Sequence, residues 1–432
     1  MMRGQVSRWA WRCLTTAGLL VTGLLFSPTV AVDATSSHKP LQSWTVSRIG
    51  AAPGTNGSSL SGVSCVGVAN CYAVGSDYSG PVVLAVPGSL NESLMQHPVV
   101  AHFNGKSWSQ ISIPLAGALL GIDCLSDVFC VAVGGIVQAN GAASTLIERF
   151  DGRVWTVVAS PNATAPPTES APPGTPVGVT NWLNSVSCSS VHECMAVGGT
   201  SALVAAARSG VSVPLAEHFA GPNWSLSPVP GSWEGALTSV SCAASACTAT
   251  GIVQGFTAPP FVASGQFTGR YVAGTWQRLN ARQATGSGIS SLICLMRQPC
   301  IGVGGLSEAP YASRLVQGGW RTELSQGPRN SHSQLSGVTC PLVKRCIAVG
   351  NSSRFMGRGG TKKIITPLIE ARNGSTWQMV LGPRFPDARF EVLNSVSCVT
   401  GNRCVAVGYS QEPDVDQSGN AQILVISGRF PA

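Results

Sequence analysis

Apolar residues spaced two apart recur in short runs along this chain, and each run is bounded by Gly, Ser, Asn or Asp. One run reads Leu-Asn-Ser-Val-Ser-Cys at Leu183–Cys188 and again at Leu393–Cys398, and close variants begin at Leu60 and Leu335. A second run follows each of these and ends in Ala-Val-Gly, as at Cys404–Gly408. Alternation with period two between turn residues predicts two adjacent β-strands.

Two further strands are predicted after each Ala-Val-Gly run, joined by Asn-Gly or Asp-Gly. Leu146–Gly152 leads into Trp155 in this way, and Leu368–Gly374 leads into Trp377. Because Asn and Gly accept positive φ, such pairs between apolar runs predict hairpins. The Trp residues that begin the fourth strands are Trp108, Trp155, Trp224, Trp276, Trp320 and Trp377. Four strands per repeat, at spacings of 46 to 64 residues, are typical of propeller blades.

The cysteines follow the same repeat. Of the 15 Cys, Cys13 lies in a segment that we expect to be removed, and the other fourteen form seven close pairs. The pairs are Cys65 with Cys71, Cys124 with Cys130, Cys188 with Cys194, Cys242 with Cys247, Cys294 with Cys300, Cys340 with Cys346, and Cys398 with Cys404. In an exported chain this spacing predicts disulfides between strands one and two of each repeat. Zinc sites have shorter gaps and His partners, and the six His follow no such register.

We therefore predict an all-β fold, a seven-bladed β-propeller of four-stranded blades. Repeat seven has a third strand at Ile423–Ile426 but no Trp after it, whereas Trp44–Ile49 matches a fourth strand that precedes repeat one. The N-terminal strand is expected to complete the last blade and to close the ring, which removes exposed sheet edges. The expected blades are 60–113, 119–159, 183–228, 237–279, 289–324, 335–381, and 393–426 with 44–49.

The first residues resemble a secretory signal. Arg3, Arg8 and Arg12 precede the apolar stretch Leu14–Phe26, and small residues lead to a cleavage point after Ala31. An uncleaved N-terminal anchor is the alternative. We expect residues 1–31 to be a signal peptide and residues 32–432 to form one propeller domain, secreted or associated with the cell envelope. No later segment is long and apolar enough to predict a membrane span, and a monomer is expected.

Three family resemblances accompany this repeat. The segments Val131–Gly135, Ile147–Asp151 and Trp155–Val158 resemble kelch propellers, and the Asp-Gly-x-x-Trp run is similar to the tail of the Asp-box of sialidase-like propellers, without its leading Ser/Thr-x-Asp. The Val-Ser-Cys…Cys-x-Ala-Val-Gly pattern is similar to secreted repeat proteins of actinobacteria. These resemblances imply the propeller fold and carry no activity with them, since propellers host many functions.

Loop length and charge indicate which face binds. With 50 Gly, 28 Pro and 11% charged residues, the chain is rich in turns, and its long loops follow strands two and four, so they share one face. From Arg329 to Arg403 there are 11 Lys or Arg against 3 Asp or Glu. In one long loop of repeat six lie Arg354, Arg358, Lys362 and Lys363. They predict an anionic partner, an acidic polysaccharide or an extracellular protein, with a merely solvated basic loop as the alternative. The loop lacks the interleaved aromatic residues of nucleic-acid sites.

A second long loop, in repeat seven, matches half of a calcium loop. Asp414, Asp416 and Ser418 alternate before a Gly, as calcium-binding oxygens do in an EF-hand. The position of the final bidentate Glu is Val425, which excludes a complete EF-hand. Two hypotheses remain for this loop. It forms a one-loop calcium site, or it is an acidic turn that pairs with the neighbouring basic loop. No other cofactor is predicted.

No catalytic residue emerges from the sequence. Glu148, Glu217 and Glu370 occupy the same repeat position, which points to a structural role, and no nucleophile elbow, phosphate loop or zinc-protease helix is present. We therefore predict a secreted, non-enzymatic binding or scaffold propeller that uses its long-loop face. The alternative is a carbohydrate-active propeller enzyme, a glycoside hydrolase or lyase, with paired carboxylates at the mouth of the channel.

Overall fold

A computed structural model of the chain describes most of the repeat region. The described residues are 45–50, 55, 57–79, 95–113, 115–138, 142–164, 177–204, 211–231, 234–254, 263–279, 287–306, 309–317, 319–342, 344–356, 362–380, 382–383, 390–399, 403–411 and 421–429. Five of the features predicted above lie outside them, namely the signal segment 1–31, Trp44, Arg358, the Asp414/Asp416 pair and Ser418.

All the regular elements described are β-strands. The first is β1 (Thr45–Ile49), and repeats one to three follow as β2 (Gly57–Gly67), β3 (Asn70–Ser79), β4 (Met95–Phe103), β5 (Trp108–Ser112), β6 (Gly117–Ser126), β7 (Phe129–Val137), β8 (Ala143–Phe150), β9 (Trp155–Val158), β10 (Val177–Ser190), β11 (Glu193–Val204), β12 (Val211–Ala220) and β13 (Asn223–Leu226).

Repeats four to seven continue as β14 (Gly235–Ala243), β15 (Ala246–Gln254), β16 (Ala263–Val272), β17 (Thr275–Arg278), β18 (Ser287–Ile293), β19 (Ile301–Leu306), β20 (Ala309–Val316), β21 (Gly319–Glu323), β22 (His332–Leu342), β23 (Arg345–Met356), β24 (Lys362–Asn373), β25 (Thr376–Met379), β26 (Phe390–Val399), β27 (Arg403–Gln411) and β28 (Gln422–Arg429). Six of the predicted Trp residues begin or adjoin a fourth strand, as expected.

Each repeat forms an antiparallel meander in which consecutive strands pair, which identifies a β-propeller with four-stranded blades. The number of separate blades differs from the seven predicted. Five sheets are four-stranded, and repeats two and three share one eight-stranded sheet. The two meanders of that sheet are joined by a single parallel pairing, Thr180 with Ala143, because β10 is long enough to reach the edge of β8.

The disulfides join the cysteines that the sequence paired, and all seven predicted bonds are confirmed. Each bond closes the short hairpin between the first and second strands of its repeat, with five intervening residues in six repeats and four in repeat four. Cys65 is bonded to Cys71, Cys124 to Cys130, Cys188 to Cys194, Cys242 to Cys247, Cys294 to Cys300, Cys340 to Cys346, and Cys398 to Cys404. With every one of these cysteines bonded to another, none is left to hold zinc.

The N-terminal strand pairs where the sequence placed it. Thr45 to Ile49 of β1 lie antiparallel to Ser427 to Ile423 of β28, and the sheet order is β1-β28-β27-β26. Val46 packs against the core between repeats six and seven, and Ile49 packs against the core between repeats seven and one. The last repeat therefore obtains its fourth strand from the other end of the repeat region.

The recurrent glycine after Ala-Val lies against a β-bulge in the first strand. In every repeat the register shifts by one residue just after the Leu or Ile of that strand, as between Leu60 and Gly62. The bulge pushes the first-strand backbone against the second strand. A Cβ on Gly75 would lie 1.9 Å from the carbonyl oxygen of Ser59, so only glycine fits. The motif is thus a packing requirement of the blade.

Serine hydroxyls join the first strands of neighbouring repeats. The Ser before the first Cys accepts a hydrogen bond from the backbone N–H of the equivalent Cys in the next repeat, as from Cys124 to Ser64 and from Cys242 to Ser187 (both 3.0 Å). Ser397 of repeat seven accepts the same bond from Cys65 of repeat one, at 3.0 Å. The Val-Ser-Cys motif therefore forms part of a strand and also supplies a hydrogen-bond acceptor for the next blade.

Candidate functional site

The predicted basic loop is described only in part. Arg354 on β23 and Lys363 on β24 are exposed. Arg354 pairs with Ile364, and Phe355 pairs with Lys363. Since paired residues share a face and neighbours alternate, Arg354 and Lys363 lie on opposite faces of this two-stranded ribbon. Lys362 lies on the same ribbon, opposite Met356, and Arg358 lies outside the described residues, so the four-residue patch stays a prediction.

The calcium loop also stays a prediction, because Asp414, Asp416 and Ser418 lie outside the described residues. Within the parts of the chain that the structure describes, no group of three or more His, Cys, Asp or Glu side chains is arranged to hold a metal ion. In the same parts, no helix is long and apolar enough to cross a membrane.

The repeated glutamates are buried between sheets. Glu217 accepts a 2.7 Å hydrogen bond from the hydroxyl of Ser160, and Glu370 accepts one of the same length from Ser325. Burial raises the pKa of Glu217 to about 7, and that of Glu370 also lies above its usual value. Both hydroxyl donors follow the fourth strand of the preceding repeat, so each glutamate ties one blade to the next.

Glu148 is the exception among these glutamates. It is as buried as the others, but neither carboxylate oxygen has a hydrogen-bond partner among the described residues. Burial raises its pKa to about 7. Ser160 and Ser325 each lie five positions after the Trp of their repeat, and the residue at that position before Glu148 is Ile113, which has no hydroxyl. The missing donor explains the unpartnered carboxylate.

The two recurring histidines also have structural partners. His102 stacks on Tyr72 with ring centroids 4.5 Å apart, and its Nε2 lies 2.9 Å from Oδ1 of Asn70. His218 lies 3.0 Å from a carboxylate oxygen of Glu193 and 3.1 Å from the Tyr271 hydroxyl. His102 thus contacts residues of its own repeat, and His218 also reaches Tyr271 of the following repeat.

The larger of two described cavities lies between repeats seven and one, with a volume of about 480 Å³. It opens on the face that carries the disulfide hairpins and the turns between third and fourth strands, which we call the disulfide face. One wall is formed by repeat one, with the Cys65–Cys71 disulfide, Val68 and Phe103. Repeat seven and the N-terminal strand form the other wall, with Arg403, Arg429, Ser427 and Thr45. We call this space the 7/1 cleft.

Two arginines lie directly opposite each other in the wall of the 7/1 cleft. Arg403 on β27 pairs with Arg429 on β28, and both side chains are exposed. Like charges directly opposite on a sheet destabilise it, and their Cβ atoms are about 5 Å apart in such pairs. Among the described residues, neither arginine has an acidic partner. The register-equivalent pairs Glu193/Ala220, Ala246/Val272 and Arg345/Asn373 carry no such doubled charge.

Small side chains in repeat seven create the cleft. Tyr72 and His102 are paired in repeat one and fill the gap toward repeat two. The paired residues at the same register in repeat seven are Val405 and Ser427. The replacement of these two large side chains by smaller ones opens a space that is lined by two guanidinium groups and two hydroxyls, those of Arg403, Arg429, Ser427 and Thr45.

Sequence reasoning alone did not find this cleft. Arg403 falls in the basic stretch, but Arg429 and Thr45 lie in segments distant along the chain, and their proximity depends on the pairing of β1 with β28. The sequence does carry one indication. At the end of its third strand, repeat seven has Ser-Gly-Arg where repeat two has Arg-Phe-Asp. Repeat seven thus lacks the aromatic residue and the acid that repeat two has at these positions.

The second cavity, of about 80 Å³, lies at the equivalent place between repeats two and three. It is smaller because the Arg149 guanidinium lies over the Phe129 ring, 5.1 Å from its centroid. Neither cavity has an Asp or Glu in its described lining. A glycoside hydrolase uses two facing carboxylates, so neither cavity has the residues for that reaction.

No protein-family model matches the chain, and no curated protein matches it. A solved structure described as "YCF48 bound to D1 peptide" is 10% identical with a TM-score of 0.47, covering 90% of this chain and 97% of that one. A protein of unknown function from Dyadobacter fermentans is 11% identical with a TM-score of 0.45, covering 89% and 98%. A streptogramin B lyase is 10% identical with a TM-score of 0.43, also covering 89% and 98%. At these values the matches do not indicate what this chain binds.

Proposed function

We propose that this protein is a secreted, non-enzymatic binding propeller that holds an anionic group in the 7/1 cleft. The observation that carries the proposal is the cross-strand pair Arg403/Arg429 in the wall of a cavity of about 480 Å³. Two guanidinium groups recognise a phosphate, sulfate or carboxylate through charge-assisted hydrogen bonds. The hydroxyls of Ser427 and Thr45 add neutral partners beside them.

The architecture that we propose for this function is a closed ring of seven blades. Two observations support it. The eight-stranded sheet consists of two meanders that share one residue pair, so repeats two and three are counted as two blades. Repeat seven contacts repeat one through the serine bonds that link other neighbours, and the Asn394 amide donates to the Leu60 carbonyl as Asn184 does to Leu237 (both 2.8 Å). The 7/1 cleft would then lie at the closing junction.

Secretion is part of the proposal. Seven disulfides indicate an oxidising compartment, and the basic n-region and apolar stretch at residues 3–26 fit a signal peptide. The partner that we propose is an extracellular molecule or surface that presents anionic groups.

A binding measurement tests the cleft. Polyphosphate is the anionic probe, and neutral dextran is the uncharged reference. We expect the double variant Arg403→Gln/Arg429→Gln to bind polyphosphate at least tenfold more weakly, because each charge-assisted hydrogen bond contributes about 1.5–3 kcal/mol. The affinity is measured by calorimetry at fixed salt, since ionic strength screens exposed charges.

The matched control removes the same number of charges elsewhere. The variant Arg354→Gln/Lys363→Gln changes two exposed cations on the predicted long-loop face. We expect its polyphosphate affinity to stay close to that of the unchanged protein. If this variant loses binding and the cleft variant keeps it, the ligand binds at the basic loop of repeat six, and the proposal for the 7/1 cleft is wrong.

A further inference from the structure

Apolar side chains stand exposed at the tips of the disulfide hairpins. In five repeats the hairpin between strands one and two carries one aliphatic residue that is between 41% and 68% exposed. We call these the apolar tips: Val68, Val128, Val191, Met296 and Leu342. Turn positions normally hold Gly, Pro, Asn, Asp or Ser, and four of these five residues occupy turns. Scattered exposed aliphatic residues are ordinary, but the repetition at one structural position is not.

Exposed cations occupy the same face. We call the following six residues of repeats five, six, seven and one the basic sector: Lys106, Arg297, Lys344, Arg345, Arg403 and Arg429. The hairpins and turns of the disulfide face in these four repeats contain no Asp or Glu in the sequence. The acids of this face, Asp127, Asp151 and Glu193, belong to repeats two and three. Three apolar tips, Val68, Met296 and Leu342, therefore stand among cations without nearby acids on their hairpins.

We infer that the disulfide face docks on an anionic lipid bilayer, with the tips Val68, Met296 and Leu342 inserted and a lipid phosphate in the 7/1 cleft. The inference rests on the proposed anion-binding function and names its partner. Peripheral membrane binding combines buried apolar groups with basic residues that face anionic headgroups, and neither contribution suffices alone. The basic sector and its three tips supply both on one surface.

The arrangement of the tips favours a bilayer over a folded partner. Each tip stands on the hairpin of a different repeat. A rigid protein would need a matching hollow for each tip, whereas fluid acyl chains close around each one. A disulfide closes each hairpin, which holds its tip in place. A second copy of the chain is disfavoured because two basic sectors would repel each other.

Vesicle binding tests the inference with the complete mature chain. The probes are vesicles of phosphatidylcholine with phosphatidylglycerol, vesicles of phosphatidylcholine alone, and soluble polyphosphate. The tip variant is Met296→Gln/Leu342→Gln, which leaves Val68 in the wall of the 7/1 cleft unchanged. We expect it to bind the anionic vesicles at least roughly tenfold more weakly in co-sedimentation, because the removed side chains no longer insert. Its affinity for polyphosphate is expected to be unchanged.

The matched control removes exposed apolar residues from outer strands. Ile111, Val157 and Met379 are also exposed, on β5, β9 and β25. The variant Ile111→Thr/Met379→Gln is expected to bind anionic vesicles as the unchanged protein does. If both double variants lose vesicle binding equally, general surface hydrophobicity is responsible, and the assignment to the disulfide face is wrong.

The outcomes separate this inference from the proposed function. Binding of polyphosphate without binding of anionic vesicles would overturn the bilayer as partner and leave the anion site intact. If the protein binds neither polyphosphate nor anionic vesicles, the anion site and the bilayer inference are both wrong. A dimer in size-exclusion chromatography that the tip variant converts to a monomer would show that a second copy covers the tips, and it would also overturn the bilayer inference.

Discussion

At the residue scale, the fifth residue after the fourth-strand Trp determines whether the buried glutamate of the next repeat has a hydroxyl donor. Glu217 and Glu370 face a serine hydroxyl of the preceding repeat, whereas Glu148 faces a repeat that carries Ile113 at the corresponding position. The sequence showed that these glutamates recur, and two of them accept a hydrogen bond from the preceding repeat. Their partners were not predictable, because the hydroxyls come from a different blade and lie 45 or more residues away.

The first residue-scale prediction concerns Glu148→Met. Burial raises the pKa of Glu148 to about 7 from the usual 4.5, so the folded state resists ionisation. Below about pH 4.5 the carboxyl is protonated in folded and unfolded chains, so its ionisation does not lower the stability. The ionisation penalty grows between pH 4.5 and 7, up to about 3 kcal/mol. We expect Glu148→Met to raise the free energy of unfolding more at pH 8 than at pH 4.

Urea unfolding at the two pH values measures this difference, with the disulfides kept intact so that the transition remains comparable. The exposed turn residue Asp127 provides the control, since Asp127→Asn changes a carboxylate that is not buried. An equal gain from Glu148→Met at both pH values would mean that packing, and not ionisation, produces the stabilisation.

At the element scale, one motif in the first strand of each repeat makes three kinds of contact. Its Leu is buried in the core, its bulge sets the glycine of the second strand, and its serines hold the next repeat. The alternation predicted the strand, and the spacing predicted the disulfide. The bulge and the serine bonds were missed because a period-two pattern shows which face a side chain occupies but not what lies across from it.

The second prediction concerns those serines. Ser187→Ala and Ser397→Ala each remove the acceptor of a backbone N–H in the following repeat, from Cys242 and from Cys65. We expect each change to lower the free energy of unfolding by about 1 kcal/mol, the usual net contribution of one hydrogen bond. Equal losses are expected because the junction of repeats seven and one uses the same geometry as the others.

Denaturant midpoints of the two variants check this, with Ser225→Ala as the control because Ser225 is exposed on β13. A loss from Ser187→Ala without a loss from Ser397→Ala would contradict the proposed closure, since it would show that repeats seven and one are not held together in solution.

At the scale of the whole molecule, the repeat pattern predicted the architecture more fully than the site. Seven cysteine pairs, the Trp positions and the surplus strand at Trp44–Ile49 predicted an all-β propeller and the pairing of its distant strands. These features recur, so each copy supports the others. The 7/1 cleft arises where repeat seven departs from the other repeats, at Val405 and Ser427. A departure from the consensus becomes a site only when the fold shows which two walls it separates.

The last prediction tests how the ends of the chain hold the molecule together. A chain that starts after Gly50 lacks β1 and leaves β28 as an open edge, which attracts other strands. It also removes the 2.9 Å ion pair between Arg48 and the buried Glu391, and breaking such a pair costs about 3–5 kcal/mol. We expect the shortened protein to unfold at lower denaturant concentration and to form oligomers in size-exclusion chromatography.

A peptide of residues 43–50, added in excess, is expected to restore the midpoint and the monomer by pairing with β28, since a ligand that binds only the folded state stabilises it. The control peptide carries Val46→Pro and Ser47→Pro, and one of these neighbours donates to β28 because donors alternate along an antiparallel strand. If the wild-type and the proline peptides act alike, or if the shortened chain is as stable as the complete one, then β1 does not close the last blade. The proposed ring would then lack the strand that completes it, and the 7/1 cleft would lose the wall to which Thr45 belongs.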